Sequence, residues 1–216
     1  MALRPTLRAF LPSVQQLRLS VTWIKTIATA VILLAVIERS AAQKSQFDVL
    51  KGDAVVGKIL ASRAIAGDRT TYLMTSYSEF DIIWKQIVKS VAATEYVDGS
   101  LISCHTNMSV NGTLRDSSRM HKSEEEVHCF VHPDQRFLCK AAVEWTTARM
   151  YFEEPIGQRT IFVESVLKYC PLELTSAGVY RLTLPGEKVN NYSYKDGVLQ
   201  EIHVDRSFFD LVFRRA

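Results

Sequence analysis

What the chain lacks narrows it first. It has no Gly-x-Ser-x-Gly elbow, no Cys-x-x-Cys, no His-x-His and no His-Glu-x-x-His. No local spacing therefore declares a serine hydrolase, a zinc ribbon or a zinc protease. It has no internal repeat, low-complexity tract or linker, so a single domain accounts for its body. Beyond Gln43 every apolar stretch is broken by charge within a few residues, well short of the roughly 20 apolar residues a spanning helix needs. The formal net charge of +3 belongs to the start of the chain, and past it a surplus of positive charge is also missing. The first 42 residues hold five of the 26 Lys and Arg and one of the 23 Asp and Glu, which leaves residues 43–216 at a net charge of −1. That balance offers no basic surface for nucleic acid.

The most directive stretch is at the start. Arg4, Arg8, Arg18 and Lys25 precede a charge-free apolar run from Ile27 to Ile37, and Ser40-Ala41-Ala42 follows Glu38 and Arg39. A basic region, a short apolar core and small residues at −3 and −1 are the parts of a secretory signal peptide, with cleavage after Ala42. The competing reading is an uncleaved anchor, since counting across Lys25 lengthens the run. A membrane contact, if there is one, is then made through that leader. The expectation is a periplasmic or secreted domain at 43–216.

Export makes the four cysteines a disulfide question, because an oxidising compartment permits pairing. Pro133-Asp134 invites a hairpin, and one of its two registers sets Cys129 opposite Cys139; the other offsets them by one residue onto opposite faces. Buried thiols are the alternative. His105, His121, His128 and His132 fall within 28 residues of one another, and a two-residue loop would bring His128 to Cys139, a pairing zinc accepts. No metal-ligand spacing supports it, so no metal or cofactor is predicted. Ser165 and Lys168 make one Ser-x-x-Lys match, but on a strand their odd separation sends them to opposite faces. No catalytic residue is assigned. Glu153 and Glu154 follow a predicted short helix, where negative charge opposes the dipole; this hints at a partner elsewhere, with Arg159 a nearby candidate for a structural ion pair. Asn107-Met108-Ser109, Asn111-Gly112-Thr113 and Asn191-Tyr192-Ser193 read formally as glycosylation acceptors.

The body alternates. Tyr180, Leu182 and Leu184 share one face, and Phe209, Leu211 and Phe213 another. Asp98-Gly99, Asn111-Gly112 and Asp196-Gly197 each tolerate positive φ at both centre positions of a type I′ hairpin turn. Many short strands joined by tight turns predict a mainly β domain: one antiparallel meander, a curved sheet or half-barrel, with one short helix near 143–151. Residues 79–97 read as mostly strand. In 161–170, Ile161, Val163, Leu167 and Tyr169 face one way and Phe162 and Val166 the other, so both faces are apolar. A sheet rolled on itself explains that occupancy.

Phe47-Asp48-Val49, Val56-Gly57-Lys58, Tyr151-Phe152-Glu153-Glu154-Pro155, Leu184-Pro185-Gly186 and Asn191-Tyr192-Ser193-Tyr194 leading into Asp196-Gly197 together resemble a family of exported bacterial β-proteins, domain of unknown function 6134. The resemblance runs over most of 46–214 and implies export, a single β-domain and a bacterial source; it carries no catalytic residues. The leading functional expectation is non-catalytic binding of a lipid, another apolar small molecule or an envelope partner in the concavity, with Trp84, Phe162 and Tyr169 as candidate lining. The alternative is a hydrolase or metal enzyme using the His, Cys and Glu groups of 104–139.

Overall fold

Alternation along the chain becomes alternation across one sheet. A computed structural model describes residues 41–123, 126–139, 142–206 and 209–216. The leader before Ala41 lies outside the described residues, and residues 40–216 form one compact unit. The strands are β1 (Ala41–Lys51), β2 (Ala54–Ala66), β3 (Arg69–Asp81), β4 (Lys85–Val97), β5 (Ser100–Val110), β6 (Thr113–Ser123) and β7 (Glu126–Val131). Then come β8 (Gln135–Cys139), the single-turn helix α1 (Thr147–Met150), β9 (Thr160–Val163), β10 (Lys168–Ser176), β11 (Val179–Thr183), β12 (Val189–Lys195), β13 (Val198–Arg206) and β14 (Phe209–Arg215).

Chain neighbours are sheet neighbours throughout, except that β1 pairs with β14, which leaves β8 and β9 as the two edges. The sheet is antiparallel and not closed into a barrel, as the half-barrel reading expected. It is nevertheless rolled: Ser118 Oγ on the inner face of β6 donates to the Glu164 carbonyl, just past β9, at 2.5 Å.

The local chemistry of the turns sets this path. Asp98 and Gly99 have φ of 49° and 74°, Asn111 and Gly112 51° and 80°, and Asp196 and Gly197 52° and 75°. Positive φ at both positions is what a type I′ turn requires, and its twist matches that of the flanking strands. Gly57 answers a different need. A Cβ there would sit 2.2 Å from the Tyr77 carbonyl oxygen, so β2 approaches β3 as closely as only glycine permits, beside the bulge between Val49 and Leu50.

One reading holds with a break in it, and one changes. Residues 79–97 are two strands and a tip: β3 ends at Asp81, β4 begins at Lys85, and Ile82-Ile83-Trp84 form the turn. Residues 161–170 are likewise a hairpin, β9 and β10 joined through Glu164–Leu167, with Leu167 at φ 51°. β9 is apolar on both faces because it is buried on both, with Ile161 and Val163 in one cluster and Phe162 in the other, while Tyr169 on β10 stays partly exposed.

α1 lies inside the predicted helical stretch and buries Ala148 and Met150. Its N-cap Thr146 makes no side-chain cap. The buried carboxylate of Glu164 serves instead, accepting from the Ala148 N–H at 2.8 Å, the Thr147 N–H at 3.2 Å and the Thr147 hydroxyl. A carboxylate at helix-terminal N–H groups is both hydrogen-bonded and favoured by the dipole.

Candidate functional site

The rolled sheet has two ends with different interiors. At the end bearing the Gly67-Asp68 and Asp98-Gly99 turns, the segment from Val143 to Leu167 folds inward. Phe162 and Leu167 pack there with Tyr72, Tyr96, Leu101, Cys104, Met120 and Cys129. The Tyr96 hydroxyl donates to Thr146 at 2.8 Å, and Tyr194 donates to the Met150 carbonyl at 2.7 Å. Arg63 holds the same insert from β2, meeting Glu153 at 2.6 Å, while Arg149 meets Glu153 at 2.8 Å and stacks on Trp145 at 4.2 Å.

Toward the other end the inward-facing side chains shrink. Ser76, Ser78, Ser90 and Ala92 replace the tyrosines, and the Ser76 and Ser90 hydroxyls satisfy each other across the strands at 2.7 Å. Small, internally paired side chains leave volume that no other described residue fills. The result is a cavity of about 530 Å³, floored by Tyr151 and walled by Val49, Ile59, Met74, Phe80, Val88, Met108, Val110 and Phe213. Among the described residues, Lys188, in the turn between β11 and β12, is the only charged one along its wall. A volume in the 300–1,000 Å³ range with apolar walls and few polar groups is what small-molecule sites share.

None of the three predicted lining residues reaches this cavity. Phe162 is 2 % exposed and lies in the filled end. Tyr169 stacks edge-on against it at 5.4 Å, stays 45 % exposed, and donates to the Ala142 carbonyl at 3.0 Å. Trp84 stands on the β3–β4 tip, 66 % exposed. The wall mixes aliphatic side chains with Phe80, Tyr151 and Phe213, and part of its signal was the inward row Met74, Ser76, Ser78 and Phe80, whose meaning depends on which strand faces it.

The cysteine and histidine readings also change. The β7–β8 hairpin adopts a third register, with Val127 opposite Cys139 and Cys129 opposite Phe137. The two cysteines thus stand two rungs apart instead of directly opposite; the Cys139 side chain lies outside the described residues. His128 pairs with Leu138 on one side and His121 on the other, so it does not face Cys139. His132 is four residues along from His128, roughly 13 Å at the usual strand rise. His105 is two strands from His128, roughly 10 Å by strand spacing alone. His105, His128 and His132 therefore do not converge. Among the described residues no group of three His, Cys, Asp or Glu is placed to hold a metal ion. Ser165 and Lys168 sit around a turn, not on one strand. Glu153 does have cationic partners, but they are Arg63 and Arg149, while Glu154 accepts from the Tyr180 hydroxyl at 2.9 Å.

With the rolled sheet and its apolar chamber described, the comparisons fall into place. The family model described as Domain of unknown function (DUF6134) matches residues 47–216. The chain belongs to the DUF6134 family. Its matched span takes in β2 to β14, α1 and the whole cavity wall, so the chamber is part of the DUF6134 domain itself. No curated protein matches the chain. Among solved structures it is similar to the crystal structure of a beta-barrel-like protein of domain of unknown function DUF1849 from Brucella abortus. The two share 10 % identity over 82 % of this chain and 97 % of that one, with a TM-score of 0.49.

Proposed function

We propose that this DUF6134 domain is exported and binds an apolar small molecule with an acidic end in the chamber between β1–β5 and β13–β14, without catalysing a reaction on it. The observation that carries the reading is the chamber itself: aliphatic and aromatic walls, hydroxyls paired with one another, and one cation at Lys188. Apolar walls favour a hydrocarbon by removing its surface from water, at about 25 cal/mol per Å². Lys188 then suits a carboxylate or similar group, which fixes orientation. The basic leader, the apolar run and Ser40-Ala41-Ala42 support export.

Titration with a dansyl-labelled fatty acid tests the binding. Saturable enhancement is expected, lost in the double variant Ser76→Leu/Ser90→Leu, which fills the chamber and removes both hydroxyls together. Lys188→Glu weakens the acidic probe and leaves a neutral dansyl alkane unaffected. Equal enhancement in the parent and the filled variant would end the proposal. N-terminal sequencing of the extracytoplasmic protein checks export, with Gln43 expected as the first residue.

A further inference from the structure

The β3–β4 tip is the most exposed apolar feature among the described residues. Ile83 is 84 % exposed and Trp84 66 %, with Ile82 beside them, and the side chains of this turn join neither buried cluster. It projects past the last ladder rung, Asp81 opposite Lys85, at the end of the sheet where Phe80 and Val110 border the chamber.

We infer that Ile82-Ile83-Trp84 is a finger that dips into the interfacial layer of a zwitterionic phospholipid surface. It is a contact distinct from the leader, and it holds whether or not the chamber carries a ligand. Three observations point to lipid.

The first is shape. A convex tip of adjacent large apolar side chains sheds water by entering a deformable phase, and tryptophan's amphipathic ring suits the headgroup level.

The second is the backbone. A segment entering a layer poor in water needs its polar groups paired within the protein. The Trp84 carbonyl accepts from the Ile82 N–H and from Gln86 Nε2, both at 3.3 Å. The Lys85 carbonyl accepts from Gln86 Nε2 and Asn111 Nδ2, both at 3.2 Å. The Asp81 carbonyl accepts from Lys51 Nζ, and Asn111 Oδ1 accepts from the Ile87 N–H at 2.8 Å. Side chains from two neighbouring hairpins thus serve the carbonyls of Asp81 and Lys85 that flank the turn, and the turn's Trp84 carbonyl is served from within its own hairpin.

The third is charge. Lys85 is neutralised by Glu79 at 2.5 Å, and around the ends of the first two hairpins Lys51 and Lys85 stand against Asp53, Glu79 and Asp81. That set has no basic surplus to seek an anionic surface, so the attraction is apolar and salt-insensitive.

The test uses the full chain with Trp84 as its sole tryptophan (Trp23→Phe, Trp145→Phe), mixed with phosphatidylcholine vesicles carrying bromine on the acyl chains. A thermal melt first confirms that it folds like the parent. Trp84 emission should be quenched on vesicle addition, to the same extent at low and high salt. Adding Ile83→Ser should weaken the quenching partition roughly tenfold, as expected from burying one large aliphatic side chain, with the melt unchanged. Protein that floats with the vesicles while Trp84 stays unquenched would overturn the inference and assign the contact to the leader. No flotation at all would overturn it equally. Failure of the chamber shows instead in the dansyl titration, so the two proposals fall separately.

Discussion

The two ends of the rolled sheet solve the same problem in opposite ways. Both must account for the inner surface of strands β2 to β6. The end carrying α1 folds a 25-residue insert inward and packs its Phe162 and Leu167 against Tyr72 and Tyr96. The end carrying the Ile82-Ile83-Trp84 tip shortens its inward side chains to serine and alanine and leaves a chamber. The same backbone ladder serves both; the size of the inward side chains and the presence of the insert differ. One end is therefore filled by the chain itself, and the other holds the chamber in which the proposed ligand would sit.

The sharpest way to break that contrast is Phe162→Ala. A fully packed aromatic removed from the filled end should cost roughly 3–5 kcal/mol in chemical denaturation, whereas Val88→Ala on the chamber wall should cost under about 1 kcal/mol, since Val88 already borders empty space. Similar losses at both would mean the chamber end is packed like the other.

Glu164→Ala comes next. It strips the Thr147 and Ala148 N–H groups of their buried acceptor and should cost about 1–3 kcal/mol. Glu164→Gln keeps one oxygen acceptor and should recover part of that loss. An unchanged unfolding midpoint for the alanine variant would remove the carboxylate from its capping role.

Alkali gives a broader, more gradual effect. Burial, and then the charge of Glu153, raises the phenol of Tyr72; burial likewise raises Tyr96, Tyr151 and Tyr194 above the ordinary value. Burial and then the hydrogen bond to Glu154 push Tyr180 up to about 12. Because these values are raised in the fold, the stability they contribute is complete below pH 10 and is lost progressively as the pH climbs beyond it, for Tyr180 through about 12. Denaturation midpoints should hold steady up to pH 10 and fall beyond it, with phenolate absorbance rising in step with unfolding. Ionisation at the ordinary value with the fold intact would contradict the buried tyrosine network.

The smallest expected effect is the most informative about function. Ser76→Leu/Ser90→Leu should change stability by no more than about 1 kcal/mol, because two hydroxyls that pair only with each other are replaced together, and it should abolish probe binding. A large destabilisation would show that the chamber has no room for two leucines.

Much of the fold was legible before any coordinates. Asp98-Gly99, Asn111-Gly112 and Asp196-Gly197 declared their turns because positive φ is a demand on the residue itself. The alternation around Tyr180 declared its strand for an equally local reason, and α1 lay within its expected span. The site was less legible. Trp84 looked like lining because an apolar run reads the same whether its turn points inward or out. Phe162 looked like lining because a ligand wall and a packed core use the same residue types. The His–Cys reading depended on the β7–β8 register, which a loop of three residues instead of two shifted.

The sequence by itself therefore determined the elements, their order and the leader's chemistry, since backbone dihedral preference and side-chain periodicity act over a few neighbouring residues. Only the tertiary structure decided where the interior is filled and where it is empty. That outcome depends on which side chains meet across strands, Ser76 with Ser90, or Glu164 with a helix 17 residues before it, and such meetings are properties of register and closure that no single stretch of chain contains.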